Sequence, residues 1–445
     1  MTMELPEIKS LSKIIGLMRK NQVHTLVYKR LAPNDNSKNQ IYLGGNYSIL
    51  QLLPFGAVVT DKSRKDSKRD RFKANLDFFW MDDEGKLFEA PGSQLILYPK
   101  YPEVRLSGFL QGSEYAPRDH LNSRKEGRVL LLGITHARHI VAHVIGLENP
   151  ANQELGTFDT CNVLNEIYRE PTNLESKHKL LEKLKEIHEI GWINSCKLDN
   201  NGITHPYQAL NGGGYTIEAI LGVTPNGQNE PDYLGWELKQ HNAPLDKPLS
   251  GGAITLMTPE PTGGIYKTSG LINFVKEFGY PDTKGRENRY NFGGIHKFGE
   301  RQNRTALTLS LDGYDINSHK IVNIEGGITL RSDSNCNAAS WDFGSLLEKW
   351  NKKHAHAVYI PSQKRKSETI QYRYGSHVAL GMGTDFDKFL HAVAIQSIYY
   401  DPGIKIENID RNDQKSKKRS QFRIRPAKIP DLYQEMQLVD LINFE

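Results

Sequence analysis

The sequence predicts two domains, a mainly β domain over residues 1–150 followed by an α/β domain over residues 151–445. Two observations support this division. Short β-rich runs separated by turns rich in Asn, Gly and Pro fill residues 1–150, whereas helical and strand-like runs alternate downstream. The length of 445 residues suits two or three domains of roughly 100–200 residues each. The chain is 38% hydrophobic and 24% charged, as expected of a folded globular protein.

The composition argues against several classes of protein. No apolar run approaches the ~20 residues that a membrane span requires, and the N-terminus carries acids where a signal peptide would have an apolar block. The three cysteines stand too far apart for a disulfide framework. We therefore expect a cytoplasmic protein that has no membrane partner.

The first domain is predicted to open with a helix over residues 7–20 and to continue as strands. Ile8, Leu11, Ile14, Ile15 and Met18 recur at helical spacing. The strand-like runs that follow are VHTLVYKRL, QIYLGG, AVVTD, LDFFWM, QLILYP, VRLSGFL, RVLLLGIT and HIVAHVIG. Many short strands with one or two helices favour a barrel or a sandwich.

The second domain opens with the most regular helical pattern in the chain. Leu180, Leu181, Leu184, Ile187 and Ile190 share one face of residues 174–190. Helices and strands then alternate towards the C-terminus, which indicates an α/β domain.

Basic residues are concentrated in two runs. The net charge is only +5, but residues 62–73 contain seven basic residues and two acids, and residues 411–428 contain eight basic residues and one acid. A single run of this kind is commonly a solvated loop. Two runs in different regions, each beside strand-like sequence, favour a polyanionic partner, of which nucleic acid is the commonest.

A pattern typical of metal-dependent nucleases lies in residues 211–243, NGGGYTIEAILGVTPNGQNEPDYLGWELKQHNA. Asp232 follows Pro231, and after four further residues comes Glu237-Leu238-Lys239, which matches PD-(D/E)xK. Asp232 and Glu237 would form a hard oxygen site suited to Mg²⁺. Lys239 would orient the attacking water and stabilise the negative charge that develops. The alternative is an exposed Glu–Lys pair of ordinary kind.

The predicted strand over residues 235–239 explains the spacing. Side chains alternate between the two faces of a strand, so Glu237 and Lys239 share one face, while Trp236 and Leu238 face a core. The preceding run YTIEAILGV is predicted to form a helix after the Gly212–Gly214 loop, and it carries one acid, Glu218. Glu218 is either a third carboxylate of the metal cluster or a helix-start residue favoured by the dipole.

The order of these elements resembles that of the MvaI/BcnI restriction endonucleases and of MutH, in which a helix acid precedes the D…ExK triad. Three further stretches resemble the MvaI/BcnI family: ITLMTPEPTGGIY, KWNKKHAHAVYI and KKRSQFRIR. The resemblance covers roughly residues 155–445. It implies an α/β PD-(D/E)xK fold, a restriction endonuclease-like and MutH-like core, for residues 151–445.

The resemblance also implies roles for single residues. Asp232 and Glu237 match the metal-binding carboxylates, Lys239 matches the catalytic lysine, and Glu218 matches the helix acid. An additional lysine from a later strand corresponds loosely to Lys353. The implied enzyme is a monomer that uses Mg²⁺ and cuts double-stranded DNA at short GC-flanked palindromes such as CCWGG or CCSGG.

The first domain resembles the DNA-binding pseudobarrel of the EcoRII effector domain, on the segments NDNSKNQIYLGGNYSIL and YPEVRLSGFL. The arrangement of both domains is similar to that of UbaLAI, which implies a two-site enzyme activated by a second DNA molecule. The alternative is that residues 1–150 extend the catalytic domain or contact proteins.

Candidate DNA contacts are basic or polar and lie beside strand-like sequence. Arginine pairs with guanine edges, whereas lysine more often holds phosphates. Arg423 and Arg425 are predicted to share the polar face of a strand. The candidates are Arg419, Arg423 and Arg425 as base readers, Lys417 and Lys418 for phosphates, Arg373 and His377 in a polar loop, and Arg64, Lys65, Lys68 and Arg69 in the first domain.

The leading hypothesis is therefore a type II restriction endonuclease that leaves a 5′-phosphate and a 3′-hydroxyl. A second hypothesis keeps the nuclease as a MutH-like or phage-defence nicking enzyme. A third is a DNA-binding regulator without catalytic activity, in which the ExK strand is incidental.

Overall fold

The computed structural model describes residues 8–63, 69–155, 163–169, 174–209, 211–224 and 231–444. The chain divides into two compact units, residues 1–172 and 173–445. The predicted boundary at residue 150 lies inside the first unit. The reason is that the strand Asn165–Arg169 pairs antiparallel with the strand Val23–Leu31, which ties this stretch to the N-terminal sheet.

The first unit is mainly β, as predicted. Its elements are α1 (Leu11–Lys20), β1 (Val23–Leu31), β2 (Ile41–Gly44), β3 (Val58–Asp61), β4 (Arg71–Asn75), β5 (Phe78–Met81), β6 (Leu87–Glu89), β7 (Gln94–Tyr98), β8 (Glu103–Ser107), α2 (Arg118–Asn122), β9 (Arg128–Thr135), β10 (Ile140–Ile145), α3 (Pro150–Glu154) and β11 (Asn165–Arg169). All eight strand-like runs contain a strand at their predicted place. Helix α1 begins later than predicted, after Ser10 in extended conformation.

Two sheets make up this unit. One has the order β11-β1-β9-β10-β5-β6 and the other has the order β2-β8-β7-β4-β3. Strands β5 and β10 run parallel to each other. Ile14 and Met18 of α1 are fully buried against the first sheet, in a core that includes Leu26, Leu131 and Val141. The helical spacing of residues 11–20 thus serves to cover one sheet face.

The second unit is α/β, as predicted. It contains α4 (Leu174–Ile190), β12 (Ile193–Asn194), β13 (Cys196–Leu198), β14 (Thr204–Pro206), α5 (Gly212–Ile220), β15 (Glu237–Asn242), β16 (Ile254–Met257), α6 (Ile265–Thr268), α7 (Gly270–Phe278), β17 (Tyr280–Pro281), β18 (Arg289–Gly293), β19 (Arg301–Gln302), β20 (Leu307–Asp312), β21 (Tyr314–Asp315), β22 (Lys320–Ile321), β23 (Gly327–Ser332), β24 (Asn337–Asp342), α8 (Phe343–Lys353), β25 (His356–Lys366), β26 (Ile370–Tyr374), β27 (His377–Met382), α9 (Phe386–Ala394), β28 (Ile398–Tyr400), β29 (Gly403–Glu407), β30 (Lys415–Lys417), β31 (Phe422–Ile424) and β32 (Glu435–Asp440).

The central sheet of this unit has the order β12-β26-β25-β27-β32, with β15 parallel to β25. Helix α4 buries Leu180, Leu181, Leu184 and Ile187 in a core shared with β15, β25, β26 and β27. Ile190 was predicted on the same face, but it is exposed because the helix ends there.

Among the described residues, five smaller sheets complete the second unit. Their orders are β16-β31-β28, β17-β18-β29-β30, β19-β20-β23-β24, β13-β14 and β21-β22. Trp341 of β24 packs edge to face against Tyr400 of β28 and Phe422 of β31, so the sheet that contains β24 meets the sheet that contains β28 and β31. Among the described residues, no helix combines the length and apolar character that crossing a membrane would require.

Candidate active site

Strand β15 enters the central sheet through a two-residue turn. Tyr233 and Trp236 exchange backbone hydrogen bonds of 3.0 and 2.8 Å, and Leu234 and Gly235 between them have φ angles of +47° and +82°. Positive φ at both central positions is the requirement of a tight hairpin turn, and glycine meets it without strain. The turn reverses the chain so that Asp232 lies beside the first residues of β15.

Asp232 is held on this strand by its own side chain. The Leu238 backbone N–H donates a 2.8 Å hydrogen bond to Oδ2 of Asp232. Trp236 and Leu238 are buried in the core under α4, as the alternation predicted. The carboxylate of Asp232 is therefore fixed against the strand that carries Glu237 and Lys239.

Glu237 is the most deeply buried acid of the cluster, with 1% of its surface exposed. The Lys239 ammonium, two residues along the same strand face, donates a hydrogen bond to its Oε1. Burial raises the pKa of Glu237 to about 7, against the opposing charge of Lys239 and with a further rise from Asp232. The predicted pairing of Glu237 and Lys239 on one face is confirmed by this contact.

A second lysine completes the charge balance. Lys353 Nζ lies 3.4 Å from Oε2 of Glu237 and 3.6 Å from Oδ1 of Asp232. Burial alone would lower the pKa of Lys353, but Glu237 and Asp232 raise it overall, so the ammonium form is favoured. Lys353 was expected from a strand; it is instead the last residue of α8, and the segment 349–360 is helical up to that point.

Glu218 comes from helix α5, which faces the same cleft. The helix begins at Gly212, so the predicted glycine loop is its first turn. A Cβ atom on Gly213 would lie 2.5 Å from the Gln240 side chain, so glycine allows the helix to approach β15 closely. Burial and the nearby Asp232 raise the pKa of Glu218. Ile220, the last residue of α5, is exposed.

These five charged side chains line one cleft of about 660 Å³. They are Glu218, Asp232, Glu237, Lys239 and Lys353. The structure thus brings together all four residues that the sequence predicted as catalytic, and Lys353 with them. His354 lies behind the lysines, fully buried, and burial together with their charge lowers its pKa well below the usual value.

One residue of the cleft was missed by the sequence reasoning. His241 follows Lys239 by two positions on β15, is buried, and lines the same cleft. Its ring nitrogens form no hydrogen bond within the described part of the chain. Burial lowers the pKa of His241, although the backbone of Lys239, Pro248 and Ser250 opposes that change in part. The period of two along β15 could have identified it from the sequence.

The chain was compared with known protein families, curated proteins and solved structures. A model of the MvaI/BcnI restriction endonuclease family matches residues 181–433, more than half of the chain. The chain belongs to the MvaI/BcnI restriction endonuclease family. It is therefore a type II site-specific deoxyribonuclease. None of the curated proteins gives a significant match.

Two solved structures are similar to the chain. One is a complex of the restriction endonuclease MvaI with its cognate DNA substrate, at 18% identity and a TM-score of 0.45, covering 59% of this chain and 98% of that one. The other is MvaI in the absence of DNA, at 16% identity and a TM-score of 0.33, covering 60% and 98%.

Arg423, predicted as a base reader of this MvaI/BcnI-family endonuclease, is bound inside the protein. It lies on β31 between the buried Phe422 and Ile424, as expected, but its Nη1 donates to Asp401 at 2.6 Å and its Nη2 donates to the Ala253 carbonyl at 2.6 Å. These bonds occupy two sides of the guanidinium. Arg423 therefore forms part of the wall of the catalytic cleft.

The other C-terminal candidates are exposed. Arg425 is exposed and has extended backbone directly after the end of β31, and the alternation of buried and accessible side chains along β31 continues to it. Arg419 and Lys418 lie in the exposed segment between β30 and β31, with Lys418 Nζ 3.8 Å from Glu260. Lys417 is the last residue of strand β30. All four remain accessible to a ligand.

The remaining candidates are divided between the two units. Arg373 is exposed on strand β26 and His377 begins β27, so the predicted polar loop is two strands joined by a short turn. His377 Nε2 lies 3.9 Å from Asp440. In the first unit, Arg69 is exposed just before β4. Arg64, Lys65 and Lys68 lie outside the described residues.

Proposed function

We propose that the chain is a Mg²⁺-dependent endonuclease that hydrolyses one phosphodiester bond in each strand of a short GC-flanked palindrome such as CCWGG or CCSGG. One observation carries the proposal: Asp232, Glu237 and Lys239 meet at the floor of one cleft, with Lys353 in contact with both acids. The balance of two acids and two lysines there suits a site that receives a phosphate and a divalent cation.

The donor atoms fit a hard divalent cation. Oε2 of Glu237 is buried and accepts no hydrogen bond from the described residues, and Oδ1 of Asp232 lies 3.6 Å from Lys353 Nζ. No group of three or more His, Cys, Asp or Glu side chains in the described ranges is arranged to hold a metal alone. Mg²⁺ suits such a site, because it is commonly held by one or two carboxylates and keeps water and phosphate as further ligands.

The chain's own residues supply the rest of the chemistry. A bound Mg²⁺ would neutralise phosphate charge and make a water more acidic. Lys239, fixed by Glu237, is placed to orient the attacking water and to donate to a phosphate oxygen as negative charge develops. The water oxygen bonds to phosphorus while the bond to the 3′ oxygen breaks and that oxygen takes up a proton. The products are a 5′-phosphate and a 3′-hydroxyl.

The substitutions Asp232→Asn and Glu237→Gln test this assignment. Each is expected to abolish cleavage of plasmid DNA in Mg²⁺ while retaining DNA in a gel-shift assay, because each removes one metal-binding oxygen and keeps the side-chain volume. Asp246→Asn, at an exposed acid shortly after β15, is the matched control. Full cleavage by either active-site variant would overturn the proposal.

The target sequence and the mode of cutting need a separate experiment. Digestion of a sequenced phage genome, with run-off sequencing of the ends, is expected to give discrete fragments from the purified protein alone. Nicks restricted to unmethylated or partner-bound DNA would instead support the MutH-like or phage-defence interpretation. Membership of an endonuclease family speaks against the regulator without catalytic activity.

We further propose that the first unit is an effector domain that binds a second copy of the target, and that the protein acts in the cytoplasm as a monomer. The support is its mainly β architecture of two sheets and the basic run over residues 62–73. A short duplex carrying the target, added in trans, is expected to accelerate cleavage of a one-site plasmid. A scrambled duplex is the control. Equal rates with both would contradict an effector role.

A further inference from the structure

The four-stranded sheet β17-β18-β29-β30 of the nuclease unit has two unlike faces. Phe292, Ile404 and Ile406 are buried on one face. Side chains alternate along a strand, so their neighbours in sequence project from the other face. That outer face carries charged and polar residues, and none of them is part of the catalytic cleft.

Strand register aligns these residues in a row. Tyr280 is opposite Asn291, Asn291 is opposite Lys405, and Lys405 is opposite Lys417. Strands lie ~4.8 Å apart, so the row spans about 14 Å. Two lysines directly opposite on paired strands repel each other and destabilise the pair. A polyanion bound across the row would remove that repulsion.

A cleft of about 340 Å³ opens on this face. Five basic residues and a single acid line it: Lys284, Arg286, Arg289, Arg304, Lys405 and Asp282. The acid is occupied by the protein itself. Asp282 accepts hydrogen bonds from the Lys284 backbone N–H at 3.0 Å and from the Asn291 amide at 2.9 Å, and it lies 3.4 Å from Arg289.

Arg289 forms the floor of the cleft, and nearby acids balance its positive charge there. Its side chain is 9% exposed and lies between Asp282 and Glu407, the latter at 3.7 Å. Glu407 is also 3.8 Å from Arg286. The two acids therefore balance the two arginines closest to them and leave the rest of the face with excess positive charge.

The remaining cations make no ion pair within the part of the chain that the structure describes. Lys284, Lys405, Lys415 and Lys417 form no ion pair with any described residue, and Arg304 only covers the Tyr280 ring, 5.4 Å from its centre. Strand β30 adds Lys415 opposite Glu407 and Lys417 opposite Lys405. An exposed array of uncompensated cations on a rigid sheet is the arrangement that attracts phosphate groups.

The face and the catalytic cleft are connected by a short segment of chain. Asp401 holds Arg423 in the wall of the catalytic cleft, and Lys405 lines the basic cleft four residues later. Four residues span at most about 14 Å. A DNA duplex lying in the catalytic cleft would therefore have phosphates within reach of this sheet.

We propose that this face binds the sugar–phosphate backbone of the duplex that the enzyme cuts, beside the cleaved phosphate and without reading bases. The inference rests on the proposed DNA cleavage for its substrate. It assigns a binding role to Lys284, Arg304 and Lys405, which no sequence pattern had indicated, and it gives Lys415 and Lys417 of the basic run 411–428 a structural setting for the phosphate contacts that the sequence predicted.

The double substitution Lys405→Ala/Lys417→Ala tests the proposal in the full-length protein. DNA affinity is measured without divalent metal, so that the result does not depend on cleavage. Loss of two phosphate contacts is expected to weaken binding roughly 10- to 30-fold at about 0.15 M salt and to reduce the slope of log affinity against log salt by about 2. The loss is expected to be equal on cognate and unrelated duplexes, and the single-turnover rate at saturating DNA is expected to stay unchanged.

Two further variants distinguish the loss of DNA contacts from a loss of folded protein. Lys179→Ala/Lys183→Ala removes the same charge from α4, where Lys183 is paired with Glu186, and is expected to leave the slope unchanged. Glu407→Gln removes an acid from the basic face and is expected to tighten binding roughly threefold to fivefold. Equal slopes of log DNA affinity against log salt for the two double variants would overturn the proposal. It would also be overturned if Lys405→Ala/Lys417→Ala weakened the binding of inorganic phosphate but left DNA affinity unchanged. Absence of cleavage by the unaltered protein would instead count against the proposed function.

Discussion

The catalytic cleft and the basic sheet face of the nuclease unit use charge in opposite ways. In the cleft, Lys353 contacts both Asp232 and Glu237, and Lys239 is bonded to Glu237, so acids and bases compensate each other at short range. On the basic face, Lys405 and Lys417 are opposite each other and form no ion pair with any described residue. Both regions carry cations, but on the second the described cations exceed the acids that pair with them.

This contrast in ion pairing shows that the number of basic residues in a region does not predict whether that region binds DNA. In the first unit, Arg71 and Lys73 both contact Asp61, at 2.6 and 3.0 Å, and Arg105 contacts Glu103 at 3.0 Å. These residues belong to strands as basic as β29 and β30, yet their charge is already balanced. A cation that has an acidic partner contributes less binding free energy to a phosphate contact, because the acid repels the phosphate.

The largest effect on the cleavage rate is expected from Lys239→Ala, which removes the ammonium group that is paired with Glu237 in the catalytic cleft. Removal of one preorganised donor from a site of developing charge costs roughly 100- to 1000-fold in rate. The single-turnover cleavage rate is expected to fall by that factor, while DNA affinity changes little. A loss of affinity with an unchanged rate would mean that Lys239 acts as a phosphate contact like those of the basic face.

A smaller loss is expected from Lys353→Ala. Its side chain is 30% exposed, against 13% for Lys239, and its Nζ lies 3.4 and 3.6 Å from the acids, farther than Lys239 Nζ lies from Glu237. We expect a rate loss of roughly tenfold to a hundredfold, or about 1.4 to 2.7 kcal/mol. Lys352→Ala, at the neighbouring position of α8, is the control. Equal losses for Lys239→Ala and Lys353→Ala would show that the two lysines act as one unit.

Arg423→Ala is expected to affect folding more than sequence choice. It leaves the Asp401 carboxylate and the Ala253 carbonyl without their donor, which costs about 1–3 kcal/mol of unfolding free energy. Thermal or urea unfolding measures this, with Arg425→Ala at an exposed position as the comparison. A relaxed recognition sequence with unchanged stability would restore Arg423 as a base reader.

The smallest effect is expected from Arg71→Ala/Lys73→Ala in the first unit. Because both side chains contact Asp61, their removal is expected to change DNA affinity by less than about threefold, well below the change from Lys405→Ala/Lys417→Ala. The same binding assay measures both. A loss equal to that of the basic face would show that a neighbouring acid does not decide which cations hold DNA.

Local pattern determined much of the catalytic strand. The period of two placed Glu237 and Lys239 on one face and Trp236 and Leu238 in the core, and both expectations hold. Helical spacing located α4 correctly. The prediction that Ile190 is buried was wrong, because Ile190 is the last residue of the helix and is exposed there. Such patterns succeed because the neighbours along a strand or a helix turn are set by backbone geometry alone.

The amino-acid pattern alone is enough to predict most helices and strands and the residue types of the triad. The tertiary structure decided which distant groups meet. It brought Lys353 from the end of α8 to Asp232, occupied Arg423 with Asp401, and set Lys405 opposite Lys417. Charges act through distance and burial, and both are properties of chain segments that are remote in sequence. The net charge of +5 therefore says little about DNA binding until each cation's partner is known.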